Sequence, residues 1–245
     1  MSRIATDVMD RETERSFSRM IYGHEMWLEG VKKDGDEISV IGLYGHKLLP
    51  DKPMPTDYAN PVLYDDNGRT DVPDREIIND PRGWQFTFQD KGADVYTIYI
   101  DSSSTWVTDD EGWHRGNKRD FSKTNYSGSF RMMAKRIISR NGDDPGEVVH
   151  AELEMMPEHG RFKVGRDETI TVLYEGKPVA NHKVLMYNRA WQNIEECKTD
   201  SAGKLTVPIK DKGDHIFITK YTDDTKTSDD FDETVFSLTL TMEAE

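Results

Sequence analysis

Short segments in which apolar and polar residues alternate occur along most of the chain after residue 23. The first two are GHEMWLE and the segment that ends in GLYGH, and the polar connection KKDGDE lies between them. Alternation over a few residues is typical of a half-buried β-strand, and a short connection that contains glycine indicates a hairpin. We therefore expect two antiparallel strands, with His24 at the start of the first and His46 at the end of the second.

From His46 to residue 123 the pattern predicts a loop, three strands and a second, longer loop. Four prolines between Leu48 and Pro61 predict the first loop, because proline fixes φ and removes a backbone donor. The apolar segments PVLYDD, WQFTFQ and DVYTIYI predict the strands. The polar segment 102–123 is expected to form a long loop or a loosely paired ribbon, and it carries two tryptophans and His114.

The segment SGSFRMMAKRIISRNG has a different spacing. Its apolar residues fall at i, i+3 and i+4, which favours a helix that ends at Asn141 and Gly142. The β-branched residues in the same segment also allow a strand. We take the helix as the first expectation and the strand as the alternative.

The chain after Pro157 contains short strands at even spacing, separated by turns such as EGKP and DSAG. This pattern is typical of a small immunoglobulin-like or transthyretin-like sandwich. We therefore predict an all-β protein in three parts, of which the two sandwiches have separate cores. The parts are a charged N-terminal arm over residues 1–22, an N-terminal β-sandwich domain over residues 23–157 and a C-terminal immunoglobulin-like domain over residues 158–245.

Composition restricts the possible partners. The chain has 245 residues and a formal net charge of −14 at pH 7. A field of that sign repels phosphate backbones and anionic lipids and attracts cations, so we expect no nucleic acid partner. The one cysteine, Cys197, excludes an intrachain disulfide and a zinc site made of several cysteines.

The N-terminal residues bear on location. Residues 1–22 are charged throughout and lack the apolar stretch of an export signal. No run of about 18 apolar residues, the length that spans a bilayer, occurs along the sequence. If Met1 is the true start, these features predict a cytoplasmic protein without a transmembrane segment, and they leave its oligomeric state open.

The histidines at the ends of the first hairpin are the main candidates for a binding site. Antiparallel pairing sets the start of one strand beside the end of the next, so His24 and His46 are expected at one rim of a sheet. Neutral imidazole is a common ligand of borderline metal ions, and carboxylates complete such sites. Glu25 and His114 are the further expected ligands. The predicted ligand is a divalent metal ion, namely nickel, cobalt or zinc.

A second interpretation involves no metal. Four tryptophans would line a groove for sugar rings, or a surface of the C-terminal sandwich would bind another protein, and the histidines would be polar rim residues. The tryptophans are Trp27, Trp84, Trp106 and Trp113. The sequence contains neither a nucleophile elbow nor a phosphate loop nor a paired HExxH helix, so we expect a protein that is not an enzyme.

Several short motifs occur in an order that resembles a known family. They are GHEMWLE, GLYGHKL with its proline-rich loop, EGWHRGNK before AKRI, LEMMP, and YEGKPVANHKVLMY with TDSAGKLTVPI. Together they are similar to the two-domain β proteins described as an additional extracytoplasmic component of nickel transporters of the energy-coupling-factor type. The resemblance implies a β-sandwich followed by an immunoglobulin-like domain, an extracytoplasmic location, and an accessory role in nickel or cobalt uptake beside a transporter complex. Its motifs include His24, His46 and, more loosely, His114.

Overall fold

The computed structural model describes residues 24–72, 74–146, 148–189 and 193–245. Almost all of its regular structure is β-strand, so the all-β prediction is confirmed. The charged arm predicted over residues 1–22 lies outside the described residues. Among the residues that are described, no helix has the length and apolar character needed to cross a membrane.

In chain order, the described residues form strands β1 to β18. They are β1 Glu25–Asp34, β2 Glu37–His46, β3 Leu49–Pro50, β4 Val62–Asp65, β5 Gly68–Asp71, β6 Arg75–Asn79, β7 Arg82–Gln89, β8 Val95–Asp109, β9 Gly112–Arg115, β10 Tyr126–Ser139, β11 Leu153–Pro157, β12 Asp167–Tyr174, β13 Lys177–Pro178, β14 Lys183–Asn188, β15 Asn193–Lys198, β16 Lys204–Pro208, β17 Gly213–Asp223 and β18 Glu233–Ala244. One 3₁₀ turn occupies Lys118–Asp120. The segment expected to be a loop or a ribbon is therefore mainly a ribbon, because β8 extends to Asp109 and pairs with β9.

These strands form three sheets. A five-stranded sheet has the order β1-β2-β7-β6, with β3 beside β2. A nine-stranded sheet has the order β15-β14-β17-β18-β10-β8-β4-β5, with β9 beside β8. A four-stranded sheet contains β11, β12, β13 and β16. The nine-stranded sheet shares apolar clusters with both of the others, and the sheets therefore stack in layers.

The helix expected from SGSFRMMAKRIISRNG is wrong, because this segment forms β10. The strand lies in the middle of the nine-stranded sheet and is buried on both faces. Met133 and Ile137 pack into one apolar cluster, whereas Ala134 packs into another. A strand that is buried on both faces has apolar residues without strict alternation, so spacing alone does not distinguish it from a helix.

The two halves of the chain share the nine-stranded sheet. Strand β10, from the first half, pairs in parallel with β18, the last strand, from Gly128 opposite Glu233 to Arg136 opposite Thr241. One apolar cluster accordingly joins Met133 to residues of β12 and β18. The expectation of two separate cores is therefore wrong, because pairing between distant strands leaves no local pattern in the sequence. A domain boundary near residue 158 stays a prediction.

The first hairpin contains a bulge that sets its register. Pairing near the turn places Lys32 opposite Ser39, but beyond the bulge it places Glu29 opposite Ile41. Gly30 has a φ of 67° and sits where two residues of β1 face one of β2, as in a G1 bulge. Since successive side chains alternate between faces, this extra residue moves every earlier side chain of β1 to the other face.

Strand β1 is covered on both faces. Met26 and Leu28 join a cluster with residues of β7 and β8, whereas Trp27 packs against residues of β14 and β17. On the Trp27 side, the buried Glu29 carboxylate accepts a hydrogen bond of 3.0 Å from Nε of Arg189. The first hairpin is thus held by both halves of the chain.

A chain shortened to end at Pro157 is expected not to reach the native fold. Strand β10 would lose its partner β18, and the apolar side chains that pack against β12 and β18 would be exposed to water. Near-ultraviolet circular dichroism and thermal melting would compare the shortened and the whole chain. Cooperative melting with a native-like spectrum in the shortened chain would instead support two independent cores.

Candidate metal centre

The structure brings His24 and His46 together at one end of the first hairpin. The ladder of β1 and β2 pairs Glu25 with Gly45, so the next position outward sets His24 opposite His46. Opposite residues of an antiparallel pair lie on the same face, and the two ring centroids are 3.9 Å apart. Without the bulge at Gly30, the register near the turn would place Glu25 opposite His46 instead.

Asp51 completes a cluster of three possible ligands, and the sequence analysis did not include it. Its Oδ2 lies 2.7 Å from Nδ1 of His46 and 3.4 Å from Nε2 of His24. All three residues offer a ligand atom within 4.8 Å of one another. In the part of the chain that the structure describes, this is the group of at least three such residues that could hold a metal ion.

A tight turn returns Asp51 to the histidines. Lys47 and Leu48 both have a φ of 55°, the left-handed conformation that a two-residue type I′ hairpin requires. The following strand β3 pairs with the end of β2 and leads directly to Asp51. A Cβ on Gly45 would lie 2.0 Å from the carbonyl oxygen of Leu49, so only glycine allows this close approach.

The structure does not bring Glu25 into this cluster. Its side chain is buried, because adjacent residues of a strand point to opposite faces and Glu25 follows His24 directly. Ser237 Oγ donates to Oε2 of Glu25 at 2.7 Å, and Lys220 Nζ lies 3.2 Å from Oε1. Glu25 therefore anchors β1 to the strands of the C-terminal half.

His114 also lies outside the cluster. It sits on β9, where its Nε2 is 2.9 Å from Oδ1 of Asp109 and its ring contacts Phe121. Of the four predicted metal ligands, the structure thus groups His24 and His46 only. Whether they bind a metal stays a prediction.

The surroundings of His24 favour its neutral form. Burial lowers the pKa of His24 most, the neighbouring His46 and Lys52 lower it further, and Asp51 opposes them. The His24 ring stacks on Tyr44 with centroids 4.5 Å apart. Burial raises the pKa of Tyr44 to about 12, with smaller effects of Tyr58 and Asp51, so this phenol is a neutral stacking surface and not an anionic ligand.

The three donor atoms suit a borderline divalent ion. Ligand bonds of roughly 2.0–2.1 Å in a tetrahedral arrangement set neighbouring donors about 3.3 Å apart. The 3.4 Å separation of His24 Nε2 from Asp51 Oδ2 already matches this spacing, whereas the 2.7 Å hydrogen bond of His46 to Asp51 would have to lengthen. His46 and Asp51 are half exposed, with side-chain exposures of 52% and 42%, so an ion would enter from solvent.

The four tryptophans do not line one groove. Trp27 and Trp84 are buried in different apolar clusters. Trp106 is half-buried and donates through Nε1 to Ser104. Trp113 is 58% exposed and lies edge-on to Tyr126 and Phe130.

A family described as a domain of unknown function (DUF4198) matches residues 21–223. The chain belongs to this family. The DUF4198 match contains His24, His46 and Asp51, and it ends with the last residue of β17. It crosses Pro157, so the family unit includes strands from both halves of the chain. Comparison with curated proteins finds no match.

His24 is expected to titrate below its usual pKa of 6.5. Because the folded state holds this proton less tightly than the unfolded chain, the contribution of His24 to stability is present above pH 6.5 and falls as the pH falls. Imidazole resonances followed by NMR across pH 4–8, with His24→Gln to assign the signal, would measure this. A His24 midpoint above 6.5 would contradict the burial of this ring and its position beside His46.

Proposed function

We propose that this protein is a non-catalytic accessory protein that binds a divalent metal ion, nickel or cobalt, as cargo during uptake. The observation that carries the proposal is the convergence of His24 Nε2, His46 Nδ1 and Asp51 Oδ2 at one exposed rim of the five-stranded sheet. Zinc fits the same donors and is the natural competitor.

The chemistry of the donors supports cargo binding. Two imidazoles and one carboxylate suit borderline divalent ions, and the cluster contains no thiolate that would hold such an ion more permanently. Three protein ligands at a solvent-exposed rim favour exchange of the bound ion. A protein that passes its metal to a partner requires such exchange. The net charge of −14 also raises the local concentration of cations at the surface.

The uptake role rests on the resemblance to the accessory components of nickel transporters. In that role the protein would receive the ion outside the membrane and release it to a transporter complex. A site at the end of a hairpin is accessible for such a transfer, since His46 and Asp51 face solvent.

One observation favours a second candidate function. Trp113 is exposed and lies beside Tyr126 and Phe130, and such aromatic surfaces bind sugars or other proteins. In this alternative the protein is an interaction or carbohydrate-binding module, and His24 and His46 are structural.

The double change His24→Ala and His46→Ala distinguishes the two candidates. We expect it to weaken Ni²⁺ and Co²⁺ binding by more than about 100-fold, since loss of a group that only supports a ligand already costs roughly 10–100-fold. Isothermal titration calorimetry would measure the affinities, and circular dichroism would confirm that each variant is folded.

The matched control is the double change His114→Ala and His159→Ala. It removes the same number of imidazoles, and both pair with a carboxylate, Asp109 or Glu168, away from the cluster. Its affinity should equal that of the unmodified protein. Equal affinities in all three proteins would reject the metal site and favour the interaction module.

A further inference from the structure

The cluster of His24, His46 and Asp51 leaves part of the coordination shell of a metal ion to another ligand. It offers three donor atoms, whereas Zn²⁺ takes four ligands and Ni²⁺ takes at least four. Among the described residues no fourth histidine, cysteine or carboxylate joins these three, so we assign the further ligand to solution. The charges around the cluster indicate what kind of ligand it is.

Lys52 is a positively charged neighbour of the cluster. It follows Asp51 directly, and its ammonium nitrogen lies 5.9 Å from the centre of the Tyr44 ring. The His24 ring stacks on the same tyrosine, with its centroid 4.5 Å from that of Tyr44. A lysine in this position repels a bare divalent cation.

Lys52 also differs from Arg115, a basic residue that lies near the same aromatic side chains. Arg115 lies over the Tyr58 ring and is neutralised by Asp57, whose Oδ2 is 2.8 Å from its Nη2. Within the described part of the chain, Lys52 has its contact with Tyr44 but no carboxylate within ion-pair distance. Its ammonium group is therefore available to an anion from solution.

We propose that the metal binds as a complex with a small organic carboxylate, whose anionic oxygen is held by Lys52. This inference rests on the proposed metal site and specifies its substrate class. A divalent ion with one bound Asp51 carboxylate and two neutral imidazoles keeps a charge of +1, and Lys52 adds another. A carboxylate that contacts both the ion and Lys52 lowers this net positive charge and accepts a charge-assisted hydrogen bond from Lys52.

The change Lys52→Gln is expected to have two effects of opposite sign. Binding of Co²⁺ alone should become a few-fold tighter, because the repulsion is removed. The effect of malonate, a small dicarboxylate, should largely disappear: it should tighten Co²⁺ binding by about tenfold in the unmodified protein and less than about twofold in the variant. A lysine with only a structural role would not produce this reversal.

Calorimetry would measure the Co²⁺ affinities with and without malonate, compared at the same concentration of free Co²⁺. The visible spectrum of bound Co²⁺ should change when malonate is added to the unmodified protein but not to Lys52→Gln. The matched control is Lys32→Gln, which removes an exposed charge at the other end of β1 and should leave both affinities unchanged. Inorganic phosphate in place of malonate tests the chemical class of the anion.

The outcomes separate this inference from the proposed metal site. If Co²⁺ binds through His24 and His46 but malonate and Lys52→Gln have no effect, the carboxylate complex is rejected and the metal site remains. If phosphate tightens binding as much as malonate does, the assignment to carboxylates is overturned. If no Co²⁺ binds with or without malonate, both proposals fail.

Discussion

The one-residue bulge at Gly30 is the constraint on which the arrangement of the first hairpin depends. It decides which side chains of β1 face each apolar cluster, with Met26 and Leu28 on one side and Trp27 on the other. The same register sets His24 opposite His46. A hairpin without the extra residue would exchange the two faces of β1 between these clusters and separate the two imidazoles.

Buried polar groups then hold this hairpin against strands from the C-terminal half. Glu25 contacts Ser237 and Lys220, the Met26 carbonyl accepts a hydrogen bond of 2.8 Å from Thr239 Oγ1, and Glu29 pairs with Arg189. A buried carboxylate without its partner would strongly destabilise the folded state, so each of these contacts favours one position of β1. These contacts thus fix the start of β1, directly after His24. The candidate metal site and the connection between the two halves of the chain therefore depend on the same residues.

Sequence patterns predicted the hairpin and placed its two histidines at one rim of the sheet, because alternation and a short turn bring those strand ends together. The register that sets His24 opposite His46 depends also on the bulge at Gly30. They missed Asp51, since the turn at Lys47 and Leu48 contains no glycine or asparagine that would predict its left-handed conformation. They placed Glu25 among the ligands, although alternation along the strand would have excluded it. They also favoured a helix for β10 and two separate cores, because neither burial on both faces nor pairing with the distant β18 leaves a local signal.

The central claim is that His24, His46 and Asp51 bind one divalent ion. X-ray absorption spectroscopy of the protein loaded with one equivalent of Ni²⁺ tests it most directly, because imidazole rings give a distinct multiple-scattering signal. We predict a first shell of nitrogen and oxygen at roughly 2.0–2.1 Å that contains two imidazoles, and the loss of this imidazole signal in the double change of His24 and His46 to alanine. A shell of oxygen alone, or an imidazole signal unchanged in that variant, would contradict the claim.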